Sequence, residues 1–194
     1  MDPAAFGDDE NWYNGFYELA VLLGPRDDTR LDAAIRAAWA DTRLDGCYAD
    51  RREPADQERL VCSLAATEHV GHLRGTAELP GGQRVVCGSV IIREESAQRD
   101  WLDFYIPLGA LSRADARVGA FMGESGIKTL AWRLPIDEWL AGMGRRIYQS
   151  AAFDYGLIGF EVAGKDLPAT DDEERYISFL VPVEGNVHYL AATR

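Results

Sequence analysis

The sequence is poor in lysine, in paired cysteines, in long apolar runs and in compact catalytic signatures. Lys128 and Lys165 are the only lysines among 20 basic residues, against 32 acidic ones. The net charge is −12 and the isoelectric point about 4.6. A surface of that sign repels nucleic-acid phosphates and anionic lipid, so neither nucleic acid nor a membrane is expected as a partner. The arginine bias fits a GC-rich bacterial genome and carries no chemistry. There are three cysteines, Cys47, Cys62 and Cys87, an odd number with no C-x-x-C spacing. Cys62 and Cys87 lie in apolar runs, where a reduced thiol behaves as a small hydrophobe. The expectation is three reduced thiols, no disulfide scaffold and a reducing, cytoplasmic setting. The first ten residues, MDPAAFGDDE, lack the basic and apolar regions of a secretory signal. No apolar run approaches the length of a transmembrane helix.

Signatures of chemistry are equally sparse. Gly81-Gly82 reads as a hairpin turn and Gly142-x-Gly144 falls inside a helical pattern, so neither cradles phosphate. Ser63, Ser89 and Ser178 lie in strand-like runs with no G-x-S-x-G elbow. No cysteine has a histidine partner nearby in sequence. No cofactor and no metal are expected.

What is present is an ordinary globular composition over 194 residues, 47% hydrophobic and 27% charged. A chain of this length suits a single domain, 1–194, with a core large enough to need no metal or disulfide. Residues 1–14 read as a flexible acidic arm ending in Trp12-Tyr13. Residues 16–23 read as a buried strand ended by Gly24-Pro25. Leu31, Ala34, Ile35, Ala38 and Trp39 form one apolar stripe, which predicts a helix over about 28–42 capped by Asp27 or Asp28. A charged loop follows, then strands at 59–67, 72–79 and 84–93, the last two a hairpin around Pro80-Gly81-Gly82. Residues 101–109 read as another strand, 112–132 as irregular, and Pro135 as the first turn of a helix to about 150. A strand at 153–162 and a hairpin of 175–183 with 186–192 complete the chain.

The two halves resemble each other. Tyr17–Gly24 lies over Leu102–Gly109, matching Glu18 with Asp103 and Gly24 with Gly109. Leu31-Asp32-x-x-Ile35 lies over Ile136-Asp137-x-x-Leu140. Residues 58–74 lie over 174–190 with the identities Glu58/Glu174, Arg59/Arg175, Leu64/Leu180, Glu68/Glu184 and His72/His188. Chance gives roughly one identity over such a stretch. The expected fold is therefore α+β, with two strand-helix-strand-strand repeats, 16–93 and 101–192, about a pseudo-twofold axis. The sheet is expected to be mostly antiparallel, with helices on one face. By order of elements, residues 16–190 resemble the duplicated modules of GyrI-like domains. That resemblance implies a cleft for small cationic aromatic ligands, held by a buried glutamate beside aromatics.

Glu18 and Asp103 stand on apolar strands, where a carboxylate must be paired or must turn outward. They are candidates to receive a cation between the halves. The resemblance adds Glu161, in the otherwise uncharged strand GLIGFEV, with Tyr155, Tyr105 and Trp101. Glu161 could equally emerge at the strand's end. Glu68/His72 and Glu184/His188 repeat a Glu-x-x-x-His spacing, but such residues on one strand lie about 13 Å apart, too far for one ion. Trp12, Tyr13 and Trp132 flank irregular segments as candidate exposed anchors for a protein.

Three function classes follow. The first is a non-catalytic acidic binder, an immunity protein or inhibitor masking a basic protein surface. The second is a GyrI-like binder of a small cationic ligand. The third is an enzyme using paired carboxylates as acid and base, which requires both acids to face one pocket. The sequence leaves the partner, the ligand and the oligomeric state open.

Overall fold

A computed structural model describes residues 1–118, 126–167 and 173–194, the side chains of 126–129 excepted. The strands are β1 (Phe16–Pro25), β2 (Leu44–Tyr48), β3 (His72–Glu78), β4 (Arg84–Glu94), β5 (Arg99–Pro107), β6 (Tyr155–Phe160), β7 (Ser178–Val183) and β8 (Asn186–Leu190). The helices are α1 (Asp28–Trp39), α2 (Leu64–Val70), α3 (Leu108–Ala114) and α4 (Gly126–Ser150). One antiparallel eight-stranded sheet runs in the order β2-β3-β4-β5-β1-β6-β7-β8. The fold is thus α+β, with α1 and α4 packed on each other over one face of the sheet.

Local chemistry explains most of these elements. Asp27 caps α1 by accepting the N–H groups of Thr29 and Arg30. The stripe Leu31, Ala34, Ile35, Ala38 and Trp39 is buried, as its spacing requires. Glu184 and Gly185 both adopt positive φ, the geometry that closes a tight hairpin between β7 and β8. Pro135 lies inside α4, not at its start. Its ring removes one helical N–H donor, which the surrounding helix tolerates.

β1 runs through the middle of the sheet and is buried on both faces. Tyr17 points toward the helices and enters a closed polar network. Its hydroxyl donates to Asp137 Oδ1 of α4 and accepts from Arg133 Nε. Ser178 Oγ of β7 donates to Asp137 Oδ2 at 2.7 Å, and the remaining Arg133 amino groups donate to the carbonyls of Tyr176 and Arg194. Burial raises the Asp137 and Tyr17 pKa values, Tyr17 the more strongly. The network clamps α4 to β1, β7 and the C-terminal residues.

Several expectations are overturned. Cys47 and Cys62 form a disulfide with Cα atoms 5.7 Å apart, leaving Cys87 free and buried. The inference of three reduced thiols fails, and cytoplasmic placement loses that support. Residues 59–67 do not form a strand: Ser63 caps α2 by accepting the Ala66 N–H. A short apolar run satisfies either pattern, and the cap and disulfide decide it. Part of the segment 112–132 is helical, at the end of α3 and the start of α4; the stretch 119–125 lies outside the described residues. The segment 1–14 is no free arm. Phe6 is fully buried, Trp12 Nε1 donates to the Phe6 carbonyl, and the Val86 N–H donates to the Pro3 carbonyl.

The strand order also departs from the pairing of halves expected for two repeats. β1 and β5, the matched first strands, are central neighbours. Outward from them, however, β1 meets β6 while β5 meets β4, which are not equivalent in sequence order. Residues 64–70 are helix, whereas their matched stretch, 180–186, is strand and turn.

Two outcomes test this architecture. Asp137→Ala, which strands Tyr17, Ser178 and Arg133 without their acceptor, lowers unfolding free energy by about 3–5 kcal/mol in chemical denaturation. Cys47→Ala with Cys62→Ala opens a 15-residue separation; a loss of about 3 kcal/mol follows, and added reductant lowers the melting temperature of the parent only.

Candidate functional site

The face of the sheet opposite α1 and α4 gathers most of the residues singled out from sequence. Alternation along β5 sends Trp101, Asp103 and Tyr105 to that face, and along β1 it sends Phe16, Glu18, Ala20 and Leu22. The register places Glu18 opposite Tyr105 and Ala20 opposite Asp103, so Glu18 and Asp103 are diagonal neighbours. Their carboxyl groups are hydrogen bonded. Glu18 is 2% and Asp103 4% exposed. Tyr155 of β6 meets Trp101 edge to face at 5.7 Å, and Tyr105 meets Phe16 at 4.5 Å.

The two acids have different surroundings. Glu18 accepts the N–H of Ala163 at 2.7 Å, with the Val162 N–H as a second backbone donor. Burial raises its pKa, and these donors oppose the rise. Asp103 has no backbone donor among the described residues. Burial, then the adjacent Glu18 charge, holds its carboxyl well above the usual range. Asp103 is thus the member of the pair whose surroundings favour the protonated form, with Glu18 as its acceptor. Among the described residues the other Asp103 oxygen, Oδ1, and Trp101 Nε1 are buried without partners.

The arrangement has one evident mechanical effect. Glu18 ties the turn after β6 down onto the sheet, where Val162, Ala163 and Leu167 join Ala20, Leu22, Trp101, Leu157 and Phe179 in a second, smaller apolar cluster. Two carboxyl groups sharing a proton are also the raw material of acid–base chemistry. Here both are sealed beneath the turn.

The remaining candidates are distributed differently. Glu161 is exposed, in the turn beyond β6, with φ +45°. It is outside the buried pair, although its charge contributes to the raised Glu18 pKa. A Cβ placed on Gly15 would lie 2.6 Å from Glu161 Oε1, so this carboxylate covers the bend before β1. Two of the three proposed aromatic anchors are corrected: Trp12 is 4% and Trp132 3% exposed. Trp12 packs edge-on against Phe6, and Trp132 against Tyr17, each within the main core. Tyr13 remains 50% exposed. His72 on β3 and His188 on β8 are separated by five intervening strands, roughly 25–30 Å, which rules out a shared ion. Among the described residues no three histidine, cysteine or carboxylate side chains gather to hold a metal. No helix among them is long and apolar enough to cross a membrane.

Comparison with known proteins adds little. No family model matches the chain, and no curated protein matches it. Among solved structures, a chain in the 1.75 Å crystal structure of the toxic C-terminal tip of CdiA from Pseudomonas aeruginosa in complex with immune protein is similar at 13% identity and a TM-score of 0.36. The match covers 77% of this chain and 90% of that one. A likeness that loose carries no functional argument.

The proton shared at the carboxyl pair has a measurable consequence. The Asp103 pKa is raised on folding, so its stabilisation is complete below the ordinary carboxylate range and is lost as pH rises toward the folded value. Asp103→Asn keeps a donor toward Glu18 and removes the titration. The variant matches the parent near pH 4 and exceeds it by on the order of 1 kcal/mol at pH 8, in denaturant unfolding across that range.

Proposed function

We propose that this chain is a non-catalytic binding protein of the immunity or inhibitor kind, which masks a basic surface on another protein. One juxtaposition carries the reading. Exposed Tyr13 stands beside Asp9 and Glu10 in sequence, and the Glu161 carboxylate lies over Gly15, two residues further on. Glu10 and Glu161 make no ion pair among the described residues, and Asp9 is only loosely engaged by Arg51, at 3.6 Å. An exposed aromatic with acids close by in sequence, and the Glu161 carboxylate over the bend that follows it, suits a cationic partner: the ring supplies contact area and the acids supply steering. The overall charge of −12 extends that attraction beyond the contact. The sealing of Glu18 and Asp103 speaks against the catalytic reading.

A second reading is favoured by a different observation. Among the described residues Asp103 Oδ1 is a buried acceptor without a partner, two positions along β5 from Trp101, which packs on Tyr155. A small amphipathic cation could engage it if the turn at 161–164 lifted from the sheet. Such a ligand would raise the melting temperature of the parent and leave Asp103→Asn unmoved.

The leading reading is tested by capture from native lysate at low salt, comparing the parent with Tyr13→Ala and Glu161→Arg. The parent retains a basic protein. Tyr13→Ala weakens that interaction about tenfold or more, and Glu161→Arg slows association and flattens its salt dependence. Equal retention by all three proteins, or recovery of no basic protein, sinks the reading.

A further inference from the structure

In a chain this acidic, one part of the open sheet face gathers positive charge instead. Alternation along β3 puts His72 and Arg74 on the same face, with Leu73 buried in the core between them. The disulfide ties the loop after β2 to the start of α2, and that loop carries Ala49 and Arg51. Arg74 Nη1 reaches across to donate to the Ala49 carbonyl and also to its neighbour's carbonyl at His72. Among the described residues Arg74 Nε is buried with no partner, while Nη2 is not buried and makes no hydrogen bond. Arg74 forms no ion pair among those residues. The Arg51 guanidinium lies 5.3 Å from the centre of the Trp12 ring, a cation–π contact that aims it from a fixed platform.

The groups facing His72 are few. Tyr105 of β5 places its hydroxyl 2.9 Å from His72 Nδ1 and fixes the ring, and Nε2 makes no hydrogen bond among the described residues. Arg74 lies on the same strand, and Arg51 on the disulfide-closed loop. Val90 of β4, opposite in register, does not titrate. Carboxylates on the neighbouring segments are already engaged: Asp50 with Arg52 at 2.8 Å, Asp9 loosely with Arg51 at 3.6 Å, and Asp103 with Glu18. Burial, then Arg74 and Arg51, push the His72 pKa down, and burial lowers that of Arg74. His72 and Arg74 have no counter-charge among the described residues, and Arg51, paired only with Asp9 at 3.6 Å, adds to their mutual opposition.

We propose that Arg51, His72 and Arg74 form a binding site for a phosphate-type dianion, with Arg74 Nη2, the Arg51 guanidinium and protonated His72 Nε2 as its donors. A tetrahedral dianion can engage two guanidinium groups and an imidazolium at once, whereas a planar monocarboxylate can satisfy only one fork. The site meets the acidic surface around Tyr13 at the Arg51–Asp9 pair, 3.6 Å apart, and does not require a protein partner to be bound there.

The test follows the three histidine ring signals by NMR while sodium phosphate is added at constant ionic strength, with chloride and acetate as controls. His72 is expected to shift saturably and to titrate at higher pH when phosphate is bound, while exposed His69 and His188 stay in place. Arg74→Gln and Arg51→Gln should each weaken the effect about tenfold, the loss expected for one charge-assisted contact. Arg51 is exposed and makes no backbone bond, so its variant serves as the test that does not disturb folding. Phenyl phosphate separates two sources of the same chemistry: tighter binding than inorganic phosphate indicates a phosphomonoester, and weaker binding indicates the free ion. The proposal is overturned if His72 does not move, if all three histidines drift together without saturation, or if Arg51→Gln responds as the parent does.

Discussion

Strand β1 has no solvent face, and much of the molecule is organised around that constraint. Its two successive polar side chains, Tyr17 and Glu18, leave on opposite sides, and each is buried. A buried polar group without a partner costs about 1–3 kcal/mol, a sizeable fraction of a protein's whole stability margin. The chain meets this on one side with Asp137, Arg133 and Ser178, and on the other with Asp103 and the backbone of the turn at 162–163. The first set fixes the long helix against the sheet. The second fixes the turn that closes the smaller apolar cluster.

The same constraint explains why the carboxyl pair is a poor guide to function. A hydrogen-bonded pair of acids with raised pKa values is a familiar mark of an active site. In this chain Glu18 is committed to two backbone donors, and the pair is covered. Function is better sought where charged groups remain uncommitted. Two such places stand out on the described surface: Glu10 and Glu161 near Tyr13, and the opposite-signed His72 and Arg74, with Asp9 and Arg51 only loosely paired to each other at 3.6 Å. That they coexist in one chain shows how little the net charge says about any single patch.

Cys47–Cys62 links these themes. By joining the loop after β2 to the start of α2, it holds Arg51 over Trp12 and brings Ala49 within reach of Arg74. Trp12 itself is buried because the N-terminal segment lies down on the sheet, with Phe6 beneath it. A disulfide, a docked terminus and a cation–π contact together position a loop whose sequence shows only charge.

Periodicity and turn chemistry alone were enough to determine the α+β class, β1, α1, the β3–β4 hairpin, β5, β6 and the β7–β8 hairpin, because these elements rest on local apolar spacing and on glycines at tight turns. Strand alternation also sufficed to send Trp101, Asp103 and Tyr105 to one face. Only the tertiary structure decided the strand order, since the neighbours of β1 and β5 depend on crossovers that local pattern does not encode. It likewise decided that Trp12 and Trp132 are core residues, that Glu161 is exposed beyond its strand, and that Cys47 meets Cys62. Each of these depends on which distant segment arrives alongside. The similarity between 58–74 and 174–190 shows the limit most sharply: matched residues became helix in one place and strand in the other, because a serine cap and a disulfide act on the first and sheet pairing acts on the second.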